Sequence, residues 1–532
     1  MATRQDAAEL SQLFTRKASG LVRVATGLDT FIFSIGLISV GAGIFTGLYF
    51  RANYPGADFV TATAISGVGS VFVALCFYFF SVVFPRSGGT FVFVSRTAGA
   101  ALAFPLTFFE VIAFSFLGAV NSYFIVQVGL APFFSMLSFL TGSAQLGSVA
   151  TWLGTQTGTF LIGLLVLIIT GAVPVFGMRK LLLLNRVMFA LAMIGILLGL
   201  IVLLTTTSAD FLQKFTSATG LKPADVINAA VKSGYGANAP FSWDQTLKLT
   251  AWPSGYLAFA VMSSAIGGEI KSVRRSQFVG MVGAVVAATI MIIIYIPLAD
   301  NVFGRQLMDA LAWNSTNAPT FSTSAPPYIT LLLGIASPNV VVGGLIIFGF
   351  IAWLYFLISP QLVYAQRLLI AWSFDRMAPE RLGYVNERFH SPIVAIILTV
   401  VVAAVFVALI SYGVLPVLAY ILGIFAVWTI VCVLGAIFPW VRPAMFKNSP
   451  IFRYKVAGVP AITLVSIPAA AFLIWQTYLY WQDPLVAGHS TPTVIGHIIG
   501  FGAGILSYIA IRAVRSSQGI DLGKVFNELP IE

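Results

Sequence analysis

Of the 18 acidic residues in this chain, almost all fall in hydrophilic stretches or at the ends of apolar ones, which leaves Glu110 inside a long apolar run and Asp29 at the start of another. A carboxyl group in hydrocarbon is costly unless protonated or paired, so such groups mark proton relays or counter-charges by default. Glu110 stands eleven residues beyond Gly99, about 16 Å along a continuous helix at 1.5 Å per residue and hence near mid-depth in a bilayer. It is a candidate for proton coupling; the simpler reading is a protonated acid hydrogen-bonded between helices. Asp29 stands where it would cap or flank the first helix.

A second chemistry lies in the backbone. The run from Phe31 to Gly47 is interrupted by Gly41, Ala42, Gly43 and Ile44. Freed N–H and C=O groups cost several kcal/mol each in hydrocarbon, so an irregular stretch survives there only where it is buried in protein or lines a polar cavity. Gly41 to Ile44 is therefore a candidate ligand site. Half a chain later, the run from Ala251 to Lys271 carries Pro253 and the small residues around Ser263 and Gly267, which permit a second break. Two interrupted spans point to a carrier that binds substrate near the bilayer midplane. Ser359-Pro360-Gln361 places a proline and two polar side chains in another apolar stretch, where they could coordinate an ion or substrate or re-satisfy freed carbonyls.

Catalysis finds no support. The three histidines, His390, His489 and His497, are scattered, and no metal-ligand or nucleophile-base spacing is present. Cys76 and Cys432 both sit in apolar runs and read as small hydrophobes rather than a disulfide or metal pair. No enzyme activity, cofactor or metal is expected; the candidate coupling ions are H+ and Na+.

The elements that must position these groups are membrane spans. With 58% hydrophobic and 9% charged residues, the chain reads as an all-α integral membrane protein. About 20 apolar residues cross the hydrocarbon core. On that measure twelve spans are expected, near 27–50, 59–84, 101–131, 155–177, 181–206, 251–270, 278–299, 340–372, 392–412, 415–440, 456–481 and 491–513. The first 20 residues are polar and mixed in charge, so no cleavable signal is expected. An even number of spans puts both termini on one face, and the segments on that face hold 23 of the 29 Lys and Arg residues. That bias orients the termini toward the cytoplasm in the cell membrane. The net charge of +11 is thereby explained by topology and attraction to lipid, without a nucleic-acid partner. On the opposite face lie two long segments, 207–249 and 300–328, the latter with the glycosylation pattern Asn314-Ser315-Thr316.

Four motifs then match a family. From Arg367 to Pro392 the chain carries Arg367, Leu369, Ala371, Asp375, Pro379, Leu382, Val385, Asn386, Arg388, Ser391 and Pro392 at the spacing of a cytoplasmic signature. Gly41-Ala42-Gly43-Ile44-Phe45, Pro85-Arg86-Ser87-Gly88-Gly89-Thr90-Phe91 and Glu269-Ile270-Lys271-Ser272-Val273-Arg274-Arg275 agree in order and spacing. The chain resembles the amino acid/polyamine/organocation permeases over approximately residues 20–440. The resemblance implies a 5+5 inverted-repeat (LeuT-like) fold with broken spans 1 and 6. Its parts would be an N-terminal segment 1–26, a core 27–440 (first repeat 27–206, loop 207–249, second repeat 250–440), two added spans within 441–513, and a tail 514–532. Substrate would bind at Gly41, Ala42, Gly43, Ile44, Phe259, Ala260, Val261, Met262, Ser263 and Gln361. The N–H groups of Gly41, Ala42 and Gly43 suit a carboxylate, and carbonyls from Phe259 to Met262 suit an ammonium group. Because Phe259-Ala260-Val261-Met262 lacks the family's acid, a neutral amino acid is the expected substrate. The lysine that some proton-coupled relatives carry in span 5 is replaced near Ala192, which leaves Glu110 for H+, Ser359 for Na+, or no coupling. The alternatives are transport of a polyamine or other organic cation, a receptor, or a channel. Oligomeric state stays open, since the last two spans could form a dimer contact or pack on the core.

Overall fold

The computed structural model describes residues 21–321, 323, 325–485, 488–519, 522 and 526. Arg4, Arg16, Lys17 and Lys524, with most of segments 1–26 and 514–532, lie outside the described residues. Among the described residues, eleven helices are long and apolar enough to cross a membrane. The sixth expected span is not one of them, because only its first turns are α-helical.

Span 1 is built from α1 (Gly27–Ile38) and α2 (Val40–Phe50). Asp29 starts α1 in a capping box: Thr26 Oγ1 accepts from the Asp29 N–H at 3.3 Å, and Asp29 Oδ2 accepts from the Thr26 N–H at 2.9 Å. The two helices meet at Ser39, which adopts a left-handed φ of 51°. Next come α3 (Phe59–Val83), α4 (Gly89–Ala98) and α5 (Ala100–Phe124), the last continuing through a π-helical turn into α6 (Ala131–Thr141). After α7 (Ala144–Leu153), spans 4 and 5 are α8 (Gln156–Gly171) and α9 (Met178–Thr205).

The loop 207–249 is largely helical, as α10 (Ser208–Thr219), α11 (Pro223–Lys232) and α12 (Trp243–Leu249). Span 6 opens with α13 (Ala251–Leu257) and then tightens into a 3-10 helix from Ala258 to Ala265 and a second from Gly267 to Glu269. The tighter coil, rising about 2.0 Å per residue, packs against α1 and α3. Span 7 comprises α14 (Val273–Gln277), a π-helical turn and α15 (Ala284–Ala299), and it runs on into α16 (Arg305–Asn317). The helix thus runs past the expected boundary near 299, and the segment 300–328, long enough to carry structure of its own, holds α16. Asn314 is buried and donates from Nδ2 to the Val226 carbonyl at 2.9 Å, so its position does not suit a glycan.

The remaining helices are α17 (Ile329–Ala336), α18 (Val340–Phe356), α19 (Ser359–Phe374), α20 (Ile393–Ser411), α21 (Ile421–Val441), α22 (Pro443–Lys447), α23 (Ala461–Gln482) and α24 (Thr491–Ser517). A two-residue hairpin, β1 (Lys455–Val456) with β2 (Val459–Pro460), precedes α23. Burial separates core from periphery: 94% of the apolar stretch of span 1 is buried against 11% of α24, whose Ile498, Ile499 and Leu506 face outward. The broken segments of spans 1 and 6 thus lie at the centre. They are tied at one end by the N–H groups of Val24 and Ala25, which donate to the Glu269 carbonyl at 2.9 and 3.0 Å.

Candidate functional site

The break in span 1 falls at Ser39, two residues before the glycine pair. The Ser39 N–H donates to the carbonyls of Gly36 and Ile35, and its hydroxyl donates to the Trp353 carbonyl at 3.1 Å. The first N–H groups of α2, on Val40, Gly41 and Ala42, have no preceding helical carbonyl to bond. Gly43 is not among them: its N–H already donates to the Ser39 carbonyl at 3.0 Å. The two glycines answer to packing. A Cβ on Gly41 would stand 2.8–3.0 Å from three atoms of the Trp353 side chain, and one on Gly43 would stand 2.9 Å from Ile292 Cδ1.

Beside the break is a cavity of about 20 Å³, room for roughly one water. Its wall takes Leu37 from α1; Leu117, Val120, Asn121 and Phe124 from α5; Gly255, Tyr256 and Phe259 from span 6; Leu357 and Gln361 near the α18–α19 junction; and Leu418 and Ile421 beside α21. Asn121, Tyr256 and Gln361 are its polar side chains, and among the described residues no charged group lines it. Asn121 spends its Nδ2 on the Leu117 carbonyl at 2.7 Å, whereas Gln361 Oε1 is buried without a hydrogen-bond partner among the described residues. An acceptor left bare in a low-dielectric wall is destabilising unless something donates to it.

Both ends of the cavity are closed. Toward the 207–249 side, Phe45 packs edge-on against Phe124 and Tyr328, and Phe50 stacks on Trp252 at 4.1 Å between ring centres. Beyond them Arg51, 2% exposed, bonds Asp300 through two nitrogens at 2.6 and 3.0 Å and Asp309 through Nε at 2.7 Å. Tyr235 from the loop donates to Asp309 at 3.2 Å, and burial together with that carboxylate raises its hydroxyl above the usual tyrosine range. On the opposite face Arg367 grips Glu269 at 2.6 and 3.2 Å, Arg96 pairs with Asp375, and Arg186 bonds Asp29 at 2.7 and 3.0 Å.

Glu110 lies one side chain behind the wall. Phe259 packs against Trp428 at 5.2 Å, and Trp428 Nε1 donates to Glu110 Oε1 at 2.9 Å. Thr90 Oγ1 stands 3.3 Å from the same oxygen and 2.7 Å from the Tyr364 hydroxyl, while Glu110 Oε2 is without a hydrogen-bond partner among the described residues. The carboxyl therefore joins α4, α5, α19 and α21, with no cation in its hydrogen-bond shell among the described residues. Ser359 is buried at the start of α19 beside the Tyr355 hydroxyl.

Of the residues named from sequence, Phe259 and Gln361 come together in the cavity wall. Gly41, Ala42, Gly43, Ile44, Ala260, Val261, Met262 and Ser263 are buried but lie outside that lining. Two expectations are corrected here: the Gly43 N–H is not free, and Phe259 to Met262 belong to a 3-10 coil whose carbonyls have partners three residues on. Ser263 Oγ bonds Gln277 Oε1 at 2.8 Å, tying span 6 to span 7. Sequence reasoning missed Asn121 and Tyr256; an amide within the Glu110 span and an aromatic next to the second break were the signals for them.

A chain threaded by helices broken side by side, around a neutral cavity closed at both ends by ion pairs, has the build of a membrane transporter. The family model for amino acid permeases matches residues 26–503, and the chain belongs to that family. It is 25% identical over 478 residues, 87% of this chain and 89% of the relative, to the methylthioribose transporter of Bacillus subtilis (strain 168). It is 32% identical over 101 residues to cationic amino acid transporter 1 of Arabidopsis thaliana, a match that spans 19% of this chain and 17% of that protein's length.

Proposed function

We propose that the chain is a secondary active transporter of neutral amino acids, working by alternating access in the cytoplasmic membrane and coupled to protons through Glu110. The observation that carries the substrate class is the cavity wall, which among the described residues is apolar apart from Asn121, Tyr256 and Gln361 and holds no charge to recognise a basic or acidic side chain. The free N–H groups at the start of α2 and the positive end of that helix suit the substrate carboxylate; the bare Gln361 Oε1 suits a donor such as the ammonium group. Since the cavity admits about one water, Phe124, Tyr256 and Phe259 must swing apart to admit substrate. Glu110 answers to that motion because Phe259 rests on Trp428, its hydrogen-bond donor. Exchange of protons through Glu110 supports symport or antiport equally, and the Lys and Arg bias supports cytoplasmic termini.

One other substrate class has an observation behind it. A relative that aligns along most of the chain is named for methylthioribose, and two side-chain amides in a neutral wall also suit a hydroxylated, uncharged ligand. An organic cation fits less well, because the wall offers it no carboxylate.

The test is the unfolding temperature of the purified protein against a panel of neutral, basic and acidic amino acids, a polyamine and methylthioribose. A ligand at 100 times its Kd stabilises by about 2.7 kcal/mol. The expected result is a rise with neutral amino acids alone; a rise confined to methylthioribose or to the polyamine would overturn the substrate assignment.

A further inference from the structure

On the Lys- and Arg-rich face, two segments distant in sequence bring together cations that form no salt bridge among the described residues. Residues 271–279 and 442–460 hold seven Lys and Arg, and no Asp or Glu occurs from 270 to 299 or from 388 to 482. The two segments meet at Tyr454. Arg274 donates to its hydroxyl and lies over its ring at 5.4 Å, while Arg453 donates to the same hydroxyl at 3.3 Å and lies over the ring at 5.2 Å. Like charges repel, so two guanidinium groups fixed on one aromatic ring build a concentrated positive field. A hydroxyl that accepts from both keeps its own proton free for a further acceptor.

This cluster borders an open cleft of about 590 Å³, with Tyr78 on one wall and Arg275, Phe278 and Val279 on the other. Phe278 and Val279 are 46% and 42% exposed at the start of the span 7 helix, about one turn beyond the arginines. Charge at the end of the apolar stretch and an apolar groove just inside it reproduce the two parts of a phospholipid. We infer that this cleft is a binding site for an anionic phospholipid of the adjoining leaflet. The headgroup phosphate is held by Arg274, Arg453 and the Tyr454 hydroxyl, and an acyl chain lies along Phe278 and Val279. Guanidinium groups suit the phosphate because their planar donors match its oxygens. Among the described residues no acid lines the cleft to pair with an ammonium group, which favours an anionic over a zwitterionic headgroup.

The site is tested with the full-length protein in detergent, titrated with phosphatidylglycerol or phosphatidylcholine of identical chains and read by native mass spectrometry. Phosphatidylglycerol should be retained at least tenfold better. Losing two basic groups at the surface, in R274Q/R453Q, should weaken phosphatidylglycerol binding about thirtyfold. The control pair R381Q/R512Q removes the same charge from exposed positions on the same face and should weaken it less than about threefold if the site is local. Arg275→Gln, at an exposed residue, guards against misfolding of the double variant and should cost about fivefold. Equal losses in the two double variants, equal retention of the two lipids, or displacement of phosphatidylglycerol by millimolar inorganic phosphate would each overturn the inference.

Discussion

Arg51→Gln removes a cation shared by Asp300 and Asp309, and its effect can be sized from the structure. Stripping the partner from a fully buried pair costs about 3–5 kcal/mol. Here Asp300 is 27% exposed and would regain water, and Asp309, at 4%, retains Tyr235 at 3.2 Å and Arg305 at 3.6 Å. These remnants reduce the penalty to about 1–3 kcal/mol. If the network belongs to the closed form of this face, the whole of it shifts the balance toward the open form, by about 5–150-fold. The reporter is Phe45→Cys, in the fully buried layer between Phe124 and Tyr328, read by its rate of maleimide labelling in detergent. The two native cysteines are buried and give little background. Labelling should accelerate at least fivefold when Arg51→Gln is added. An unchanged rate in protein of normal stability, or the same acceleration from Arg367→Gln at the opposite end, would refute the assignment of Arg51 as a closure of this face.

Three further outcomes follow from the same geometry. Gly41→Ala pushes a Cβ against three Trp353 atoms and should cost about 1–3 kcal/mol, whereas Gly43→Ala meets the mobile end of Ile292 and should cost within about 1 kcal/mol; thermal unfolding ranks them. Glu110→Gln keeps an acceptor for Trp428 and Thr90 but cannot titrate, so substrate exchange should persist in proteoliposomes while proton-driven accumulation is lost. Gln361→Leu removes the bare acceptor from the cavity wall and should raise KM by about tenfold, from the loss of a hydrogen bond to a charged group, with an unfolding temperature no lower than that of the native chain.

The sequence was most legible where chemistry conflicted with the membrane. Glu110 is conspicuous because a lone acid in an apolar run has few reasons to be there, and Gln361 because Ser359 and Pro360 disturb the same span. The first break was legible as a region but not as a residue. Glycines drew attention to 41–43, yet the left-handed residue is Ser39, and the glycines make room for Trp353 and Ile292. Those partners lie hundreds of residues away, and a composition of small residues does not reveal them. Asn121 and Tyr256 were missed for a related reason: central spans are apolar on every side, so periodicity leaves open which face meets the cavity. The 207–249 segment was legible as long enough to carry structure of its own, and its helix signals, Thr207 and Ser242 as N-caps and Pro223 at a first turn, lay in a composition rich in Ser, Thr, Asn and Lys.

Counterflow most directly tests the central claim that this chain carries neutral amino acids through the cavity between its broken spans. Proteoliposomes loaded with an unlabelled neutral amino acid and diluted into the labelled one should accumulate label transiently above equilibrium, and Gln361→Leu should reduce the effect at subsaturating substrate. A transient with methylthioribose or a polyamine but with no neutral amino acid, or no transient at all in folded, reconstituted protein, would contradict the account.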